Sequence, residues 1–195
     1  YFGGKSGISP AYYCALATYI TGQPSKMVYS REESFISSTK RHPYIIEHTL
    51  GALKDGRLVA ARIKILADSG AYTGFSPSVV TRSAVHAAGP YDIPNVSVDA
   101  SCVYTNNPNT GALRGFGVPQ MAIAHETQMD LLAERLGMDP IEIRKKNYFK
   151  KGSFTITGQK LEHSVGLGKT CDKVGQYIEK DDQGWHYSDE ASFYG

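Results

Sequence analysis

Apolar and polar residues alternate most regularly in two stretches that are joined by Asp55-Gly56. In the second stretch Val59 and Ala61 begin a run with apolar residues at every other position, which is the period of a strand with one buried face. An Asp-Gly pair between two such runs is a strong hairpin signal. The sequence therefore predicts a long β-hairpin with strands over about residues 44–54 and 58–71.

Other stretches repeat their apolar residues at helical spacing, most clearly residues 119–136, which Gly137 ends. Asp139 is a natural N-cap for the next helix, with Pro140 at its first position. Further helices are expected over residues 11–19 (with Ser9 as N-cap), 31–36, 78–88, 139–146 and 166 or 167 to 179, and further strands over 27–30 and 96–104. Strands and helices do not alternate regularly. The predicted fold class is therefore α+β, a mixed sheet with a long hairpin and packed helices.

Composition is that of an ordinary globular protein, with 41% hydrophobic and 21% charged residues in 195. The net charge of +2 gives no electrostatic case for binding nucleic acid or a membrane. We expect no membrane span, no signal peptide and a cytoplasmic location. The three cysteines, Cys14, Cys102 and Cys171, are far apart and form no CxxC pair, so we expect buried structural thiols rather than zinc or disulfides.

A glycine-rich stretch, Gly111-Ala-Leu-Arg-Gly-Phe-Gly-Val-Pro-Gln120, leads into the helix predicted at residue 119. At such a junction backbone N–H groups and the helix dipole can face an anion. Phe116 stands between two glycines, which have no side chains to crowd it. A plain loop before a helix, with Phe116 in the core, is the alternative interpretation.

A second glycine-rich stretch, Phe2-Gly-Gly-Lys-Ser6, lies at the start of the sequence, which begins with Tyr1 rather than Met. We interpret the chain as a fragment of a longer polypeptide, so sites that other segments complete cannot be read from it.

Together these two loops resemble motifs of the molybdenum-cofactor subunit of the xanthine dehydrogenase and aldehyde oxidase family. Three further segments match that family in order and spacing: Arg41-His42-Pro43, Asp92-Ile93-Pro94-Asn95, and Asp139-Pro140 followed by Arg144-Lys145-Lys146-Asn147. The resemblance covers about residues 1–170. It implies that residues 1–180 are a fragment of the molybdenum-cofactor-binding domain, with residues 181–195 an unassigned tail.

The resemblance also implies an activity, namely hydroxylation of an aromatic N-heterocycle or purine, or oxidation of an aldehyde, with water as the oxygen source. The expected cofactor is molybdenum bound to molybdopterin. Iron–sulfur clusters and FAD are expected on other domains or subunits, and the full complex is expected to be a homodimer.

Several site residues carry over by motif. Phe2, Gly3 and Arg114 resemble the cofactor-binding residues, and the backbones of Phe2 and Arg114 are expected beside the molybdenum. Phe116 resembles the aromatic residue that stacks on the substrate. Arg82 falls where purine-oxidising members have an arginine that polarises the substrate, and a guanidinium there could stabilise developing negative charge.

Ser6 is the departure from the family pattern, because xanthine-oxidising members have a glutamate at this position. Serine is shorter and uncharged, so it cannot do the same proton or hydrogen-bond work, and the substrate could be another N-heterocycle or an aldehyde rather than xanthine. We still count Ser6 as a substrate-binding candidate. The family's catalytic glutamate lies outside this fragment.

Two other function classes compete with this one. Gly4-Lys5-Ser6 matches the end of a P-loop signature, which would indicate a nucleotide triphosphatase, although no apolar strand ending in Asp supplies a Walker B partner. A non-catalytic scaffold would keep the fold without the cofactor, and Arg82 would then be a surface cation. The six scattered histidines are expected to be structural or solvent-facing.

Overall fold

The computed structural model describes residues 7–181 and 184–187. The chain forms six helices and five strands within that part: α1 (Ser9–Thr21), α2 (Arg31–Ser37), β1 (Tyr44–Ala52), β2 (Leu58–Asp68), α3 (Ser76–Val85), β3 (Asn95–Val103), α4 (Val118–Leu136), α5 (Pro140–Asn147), α6 (Leu167–Val174), β4 (Ile178–Asp181) and β5 (Gly184–Tyr187). No helix among these is long and apolar enough to cross a membrane.

The central sheet has three strands in the order β1-β2-β3, and it is mixed. β1 and β2 form the predicted antiparallel hairpin, whose turn contains Gly56 at φ 87°. β3 runs parallel to β2, so the chain must cross between them, and α3 lies in that crossover. The predicted α+β class and the long hairpin are confirmed.

One face of β2 supplies the core. Its buried residues follow the alternation of the sequence, and Ile63 is completely buried. Met121 and Met129 of α4 and Ile143 of α5 pack in the same cluster. The sheet is therefore covered by the two helices that the apolar spacing and the Asp139 cap predict.

Helix ends follow the capping signals. Gly137 ends α4 in the left-handed conformation at φ 64°. The Asp139 carboxylate accepts hydrogen bonds from the N–H groups of Ile141 and Glu142, at 2.8 and 3.1 Å, and Pro140 occupies the first turn of α5. At the start of α1 the cap is Ile8 without a side-chain hydrogen bond, so the expected cap at Ser9 is wrong.

Several predicted elements differ from the structure. Helix α3 spans Ser76–Val85 rather than residues 78–88, and β2 ends at Asp68 rather than at residue 71. Residues 27–30 form no strand, because Ser30 instead caps α2 and exchanges hydrogen bonds with Glu33 in a capping box. The last helix ends at Val174 rather than at residue 179, and the chain continues through a 3-10 turn (Gly175–Tyr177) into β4.

The expectation that all three cysteines are buried is also wrong. Cys102 is exposed, and Cys14 and Cys171 are partly exposed. Cys14 lies on α1, a helix that has no buried residue.

Candidate functional site

The glycine-rich stretch folds as a tight loop directly before α4. Gly115, Phe116 and Gly117 all have positive φ, at 94°, 53° and 95°. The N–H of Phe116 donates to the carbonyl of Leu113 at 2.8 Å, and that of Val118 donates to the carbonyl of Gly115 at 3.1 Å. A phenylalanine in this region of φ is uncommon, and such conformations persist where the surrounding structure fixes them.

Gly117 brings this loop against α3. A Cβ atom at this position would overlap the Ser83 hydroxyl and lie 2.6 Å from the carbonyl oxygen of Val79. Only a residue without a side chain allows this close approach. The glycine is therefore what places Phe116 beside α3.

An open cleft of about 510 Å³ lies between Phe116 and α3. Phe116 forms one side of it, and Arg82 contributes from the last turn of α3. The other lining residues are Pro77, Ser78, Thr81, Val85 and His86. Behind Phe116 the ring of Phe75 packs edge-on, with ring centroids 6.4 Å apart and an angle of 63° between the planes. The structure thus brings together two of the residues that the sequence predicts for the site, Arg82 and Phe116.

Arg82 is the charged side chain among the residues that line the cleft. His86 lies one helical turn further along, and its pKa is lowered from 6.5 by burial, by the Arg82 charge and by His125. The imidazole is therefore mainly neutral at pH 7, and the guanidinium supplies the positive charge. The cleft combines an aromatic face, a cation and a neutral ring nitrogen that can donate or accept a hydrogen bond.

Among the described histidines, which are expected from the sequence to be structural or solvent-facing, one lies at the candidate site. His42 is buried against Ser76 and His125 is buried against Glu126, as structural histidines are. His86, by contrast, lines the cleft. Its spacing of four residues from Arg82 on a predicted helix is the signal that could have found it.

Arg41 is a second residue that motif reasoning did not assign to the site. Its Nη2 donates to the carbonyl oxygen of Arg114 at 2.8 Å, next to the glycine-rich loop. Arg114 itself is exposed at the start of that loop. The cofactor and substrate candidates Phe2, Gly3 and Ser6 lie outside the described residues, so their positions relative to the cleft stay predictions.

No group of three or more His, Cys, Asp or Glu side chains within the described ranges could hold a metal ion. An anionic cofactor is compatible with the loop before α4, because no acidic side chain in the first turn of this helix would repel it. Val118 and Pro119 offer it no N–H donor, since the N–H of Val118 is bonded to Gly115 and proline has none.

Comparison with known proteins decides the family. The family profile described as "Molybdopterin cofactor-binding domain" matches residues 1–148. The chain belongs to the molybdopterin cofactor-binding domain family. Membership favours the cofactor interpretation over the nucleotide triphosphatase.

Relatives with this domain agree in sequence and in fold. The nicotinate dehydrogenase large molybdopterin subunit of Eubacterium barkeri is 55% identical over 173 residues, which are 89% of this chain and 41% of the relative. A probable xanthine dehydrogenase subunit of Bacillus subtilis is 45% identical over 175 residues, 90% of this chain and 24% of the relative. The aldehyde oxidoreductase structure from Desulfovibrio gigas matches with a TM-score of 0.77 and 35% identity, over 84% of this chain and 18% of that one.

The chain therefore spans less than half the length of these molybdopterin-domain relatives.

Proposed function

We propose that the complete protein is a molybdopterin-dependent oxidoreductase, a molybdenum hydroxylase that hydroxylates an aromatic N-heterocycle or purine with water as the oxygen source. The observation that carries the proposal is the cleft in which Phe116 and Arg82 face the same space. When bound, the molybdenum cofactor supplies the centre that accepts the two electrons of the oxidation.

Phe116 offers an apolar face on which a flat heterocycle stacks. Its ring is held by the positive-φ loop and by the edge contact with Phe75, so it is set in place before the substrate arrives. Hydroxylation places negative charge on the nitrogens of the substrate ring, and the Arg82 guanidinium stabilises that charge in the transition state. The proposed catalytic role of Arg82 is thus electrostatic.

Phe2, Gly3 and Arg114 are proposed to hold the cofactor, with the backbones of Phe2 and Arg114 nearest the molybdenum. The loop geometry supports this for Arg114, because the chain runs from it through three positive-φ residues to the start of α4. Iron–sulfur clusters and FAD on other domains or subunits would carry the electrons away. The full complex is proposed to be a homodimer.

Ser6 is proposed to contact the substrate as a neutral group. The similarity to a nicotinate dehydrogenase subunit supports an N-heterocycle other than xanthine. A second candidate is aldehyde oxidation, which the likeness to an aldehyde oxidoreductase supports.

Metal analysis and a substrate panel test this proposal on the complete protein. We expect molybdenum to copurify with it, and we expect turnover of nicotinate or another N-heterocycle with oxygen from labelled water in the product. A protein without molybdenum would point to a non-catalytic scaffold. Turnover of aldehydes alone would favour the second candidate.

A further inference from the structure

Residues 41–44, here named the clamp segment, contact the glycine-rich loop and the start of α4. The Arg41 guanidinium donates from Nη2 to the carbonyl oxygen of Arg114 at 2.8 Å, and from Nη1 to Oε1 of Gln120 at 3.5 Å. Gln120 in turn donates from Nε2 to the carbonyl oxygen of His42 at 3.3 Å. One side chain therefore links the start of the loop that carries Phe116 to the first turn of α4.

The clamp segment is also bonded to α3, the other wall of the cleft. Nε2 of His42 lies 2.8 Å from the Ser76 hydroxyl in the first turn of α3, and both side chains are buried. The Tyr44 hydroxyl lies 2.7 Å from the Ser83 hydroxyl. Arg41, His42 and Tyr44 thus hold both the helix that carries Arg82 and the loop that carries Phe116.

The loop needs such support because its conformation is intrinsically unfavourable. Phe116 has φ 53°, and the glycines on either side have wide conformational freedom when nothing restrains them. The Arg114 carbonyl lies two residues before Phe116. A guanidinium suits this carbonyl, because its bond is charge-assisted and its planar fork reaches a second acceptor on Gln120.

We propose that Arg41 is a positioning residue for the substrate, which holds the Arg114 carbonyl and thereby fixes the Phe116 ring over the cleft. This inference rests on the proposed function of the cleft. Arg41 acts through Phe116, so its removal should matter only as far as Phe116 does.

A double-mutant cycle in the complete enzyme tests this, with the N-heterocycle that the wild type oxidises. Arg41→Met should raise KM by up to about fivefold, because an effect that acts through Phe116 cannot exceed the loss of the stacking that Phe116 provides. The molybdenum content of this variant should match that of the wild type; a lower content would show that Arg41 acts on the cofactor through the Arg114 backbone, and would overturn the proposal that it acts through Phe116. The KM of Arg41→Lys should lie between those of the wild type and Arg41→Met, since an ammonium group keeps one of the two hydrogen bonds. Arg57→Met is the matched control, because among the described residues the Arg57 side chain pairs with exposed Asp55 at the hairpin turn, far from the loop.

The decisive comparison repeats the Arg41 change in a Phe116→Leu background. A positioning role predicts little further loss there, because the ring that Arg41 holds is already gone. A full, additive loss would overturn the proposal and indicate a general structural role. If the Arg41→Met protein cannot be produced in folded form, the same comparison is made with Arg41→Lys, in the wild type and in the Phe116→Leu background.

Failure of the cleft assignment gives a different pattern. If Phe116→Leu alone leaves heterocycle kinetics unchanged, or the wild type oxidises no heterocycle, the proposed function falls and this inference falls with it. If Phe116→Leu raises KM and Arg41→Met does not, only the positioning role is overturned.

Discussion

At the scale of single residues, the site depends on places where the backbone needs a glycine. Gly117 has φ 95° and touches α3, whereas Gly137 has φ 64° and nothing lies within 4 Å of the Cβ it lacks. At both positions a side chain would be strained by the positive φ, but at Gly117 it would also overlap neighbouring atoms. Comparing alanine at the two positions therefore separates backbone strain from steric overlap.

Gly117→Ala should destabilise the protein by about 3 kcal/mol, because strain at positive φ adds to overlap with Ser83 and Val79. Gly137→Ala should cost about 1 kcal/mol, from the left-handed backbone alone. Urea unfolding of both variants beside the wild type measures the difference. Equal losses would show that the loop does not press against α3 as the structure has it.

At the scale of elements, the two helices that cover the sheet are tied by an ionic network. Arg144 of α5 donates from Nε to Glu126 of α4 at 2.8 Å, and from Nη1 to Asp130 at 2.7 Å. The Tyr91 hydroxyl donates to the same Glu126 carboxylate at 2.9 Å. Burial acts to raise the pKa of Glu126, but hydrogen bonds from His125, Arg144 and Tyr91 outweigh it and lower the pKa to about 2.

This network predicts an acid-dependent loss of stability. Because the pKa of Glu126 is lower in the folded state, its contribution is present above pH 4.5 and is lost as the pH falls towards 2. After allowance for solvent screening of this half-exposed carboxylate, the contribution is about 1–2 kcal/mol.

The unfolding free energy of wild type minus that of Glu126→Gln should therefore shrink between pH 5 and pH 2, as measured by urea titration. Glu47→Gln is a suitable control, because the ion pair of Glu47 within the described residues is a long, exposed contact to Lys64 at 3.6 Å. A difference that stays constant over this pH range would contradict the assigned role.

Elements with strong local signals are predictable from the sequence, and those set by distant contacts are not. The hairpin follows from Asp55-Gly56 and the start of α5 from Asp139-Pro140, because turns and caps depend on neighbouring residues. Residues 27–30 have the composition of a strand, yet no β-partner is described for them. The preference of cysteine for burial is a general tendency, and it does not hold for Cys102.

The candidate site is predictable only in part. Arg82 and Phe116 follow from the family resemblance, but their shared cleft depends on the approach of Gly117 to α3. Periodicity cannot show such a contact between distant parts of the chain. Arg41 escapes prediction as a site residue for the same reason, since its bond to the Arg114 carbonyl is fixed by the tertiary fold.

At the scale of the whole molecule, the chain covers 41% or less of the relatives described above. Helix α1 exposes several large apolar side chains, among them Tyr12, Leu16 and Ile20. By the family resemblance, the proposed chemistry is also expected to use a glutamate that lies outside this fragment.

We therefore expect the isolated 195-residue chain to be inactive, because catalytic groups must be held together in one geometry. The assay is oxidation of heterocycles with an artificial electron acceptor and added cofactor. Turnover by the chain alone would show that the whole active site lies within it.

The central claim is that Arg82 and Phe116 bind and polarise an aromatic heterocycle, and steady-state kinetics of two variants of the complete enzyme test it most directly. Arg82→Ala should lower kcat/KM for an N-heterocycle about 100-fold, or about 3 kcal/mol, because it removes charge stabilisation in the transition state. Phe116→Leu should cost less, about 1 kcal/mol, from the lost stacking.

An aldehyde places no charge near the guanidinium, so on a panel of purines, pyridines and aldehydes Arg82→Ala should hardly change aldehyde turnover. Equal losses on aldehydes and heterocycles would show that Arg82 is a structural residue and that the cleft is not the substrate site.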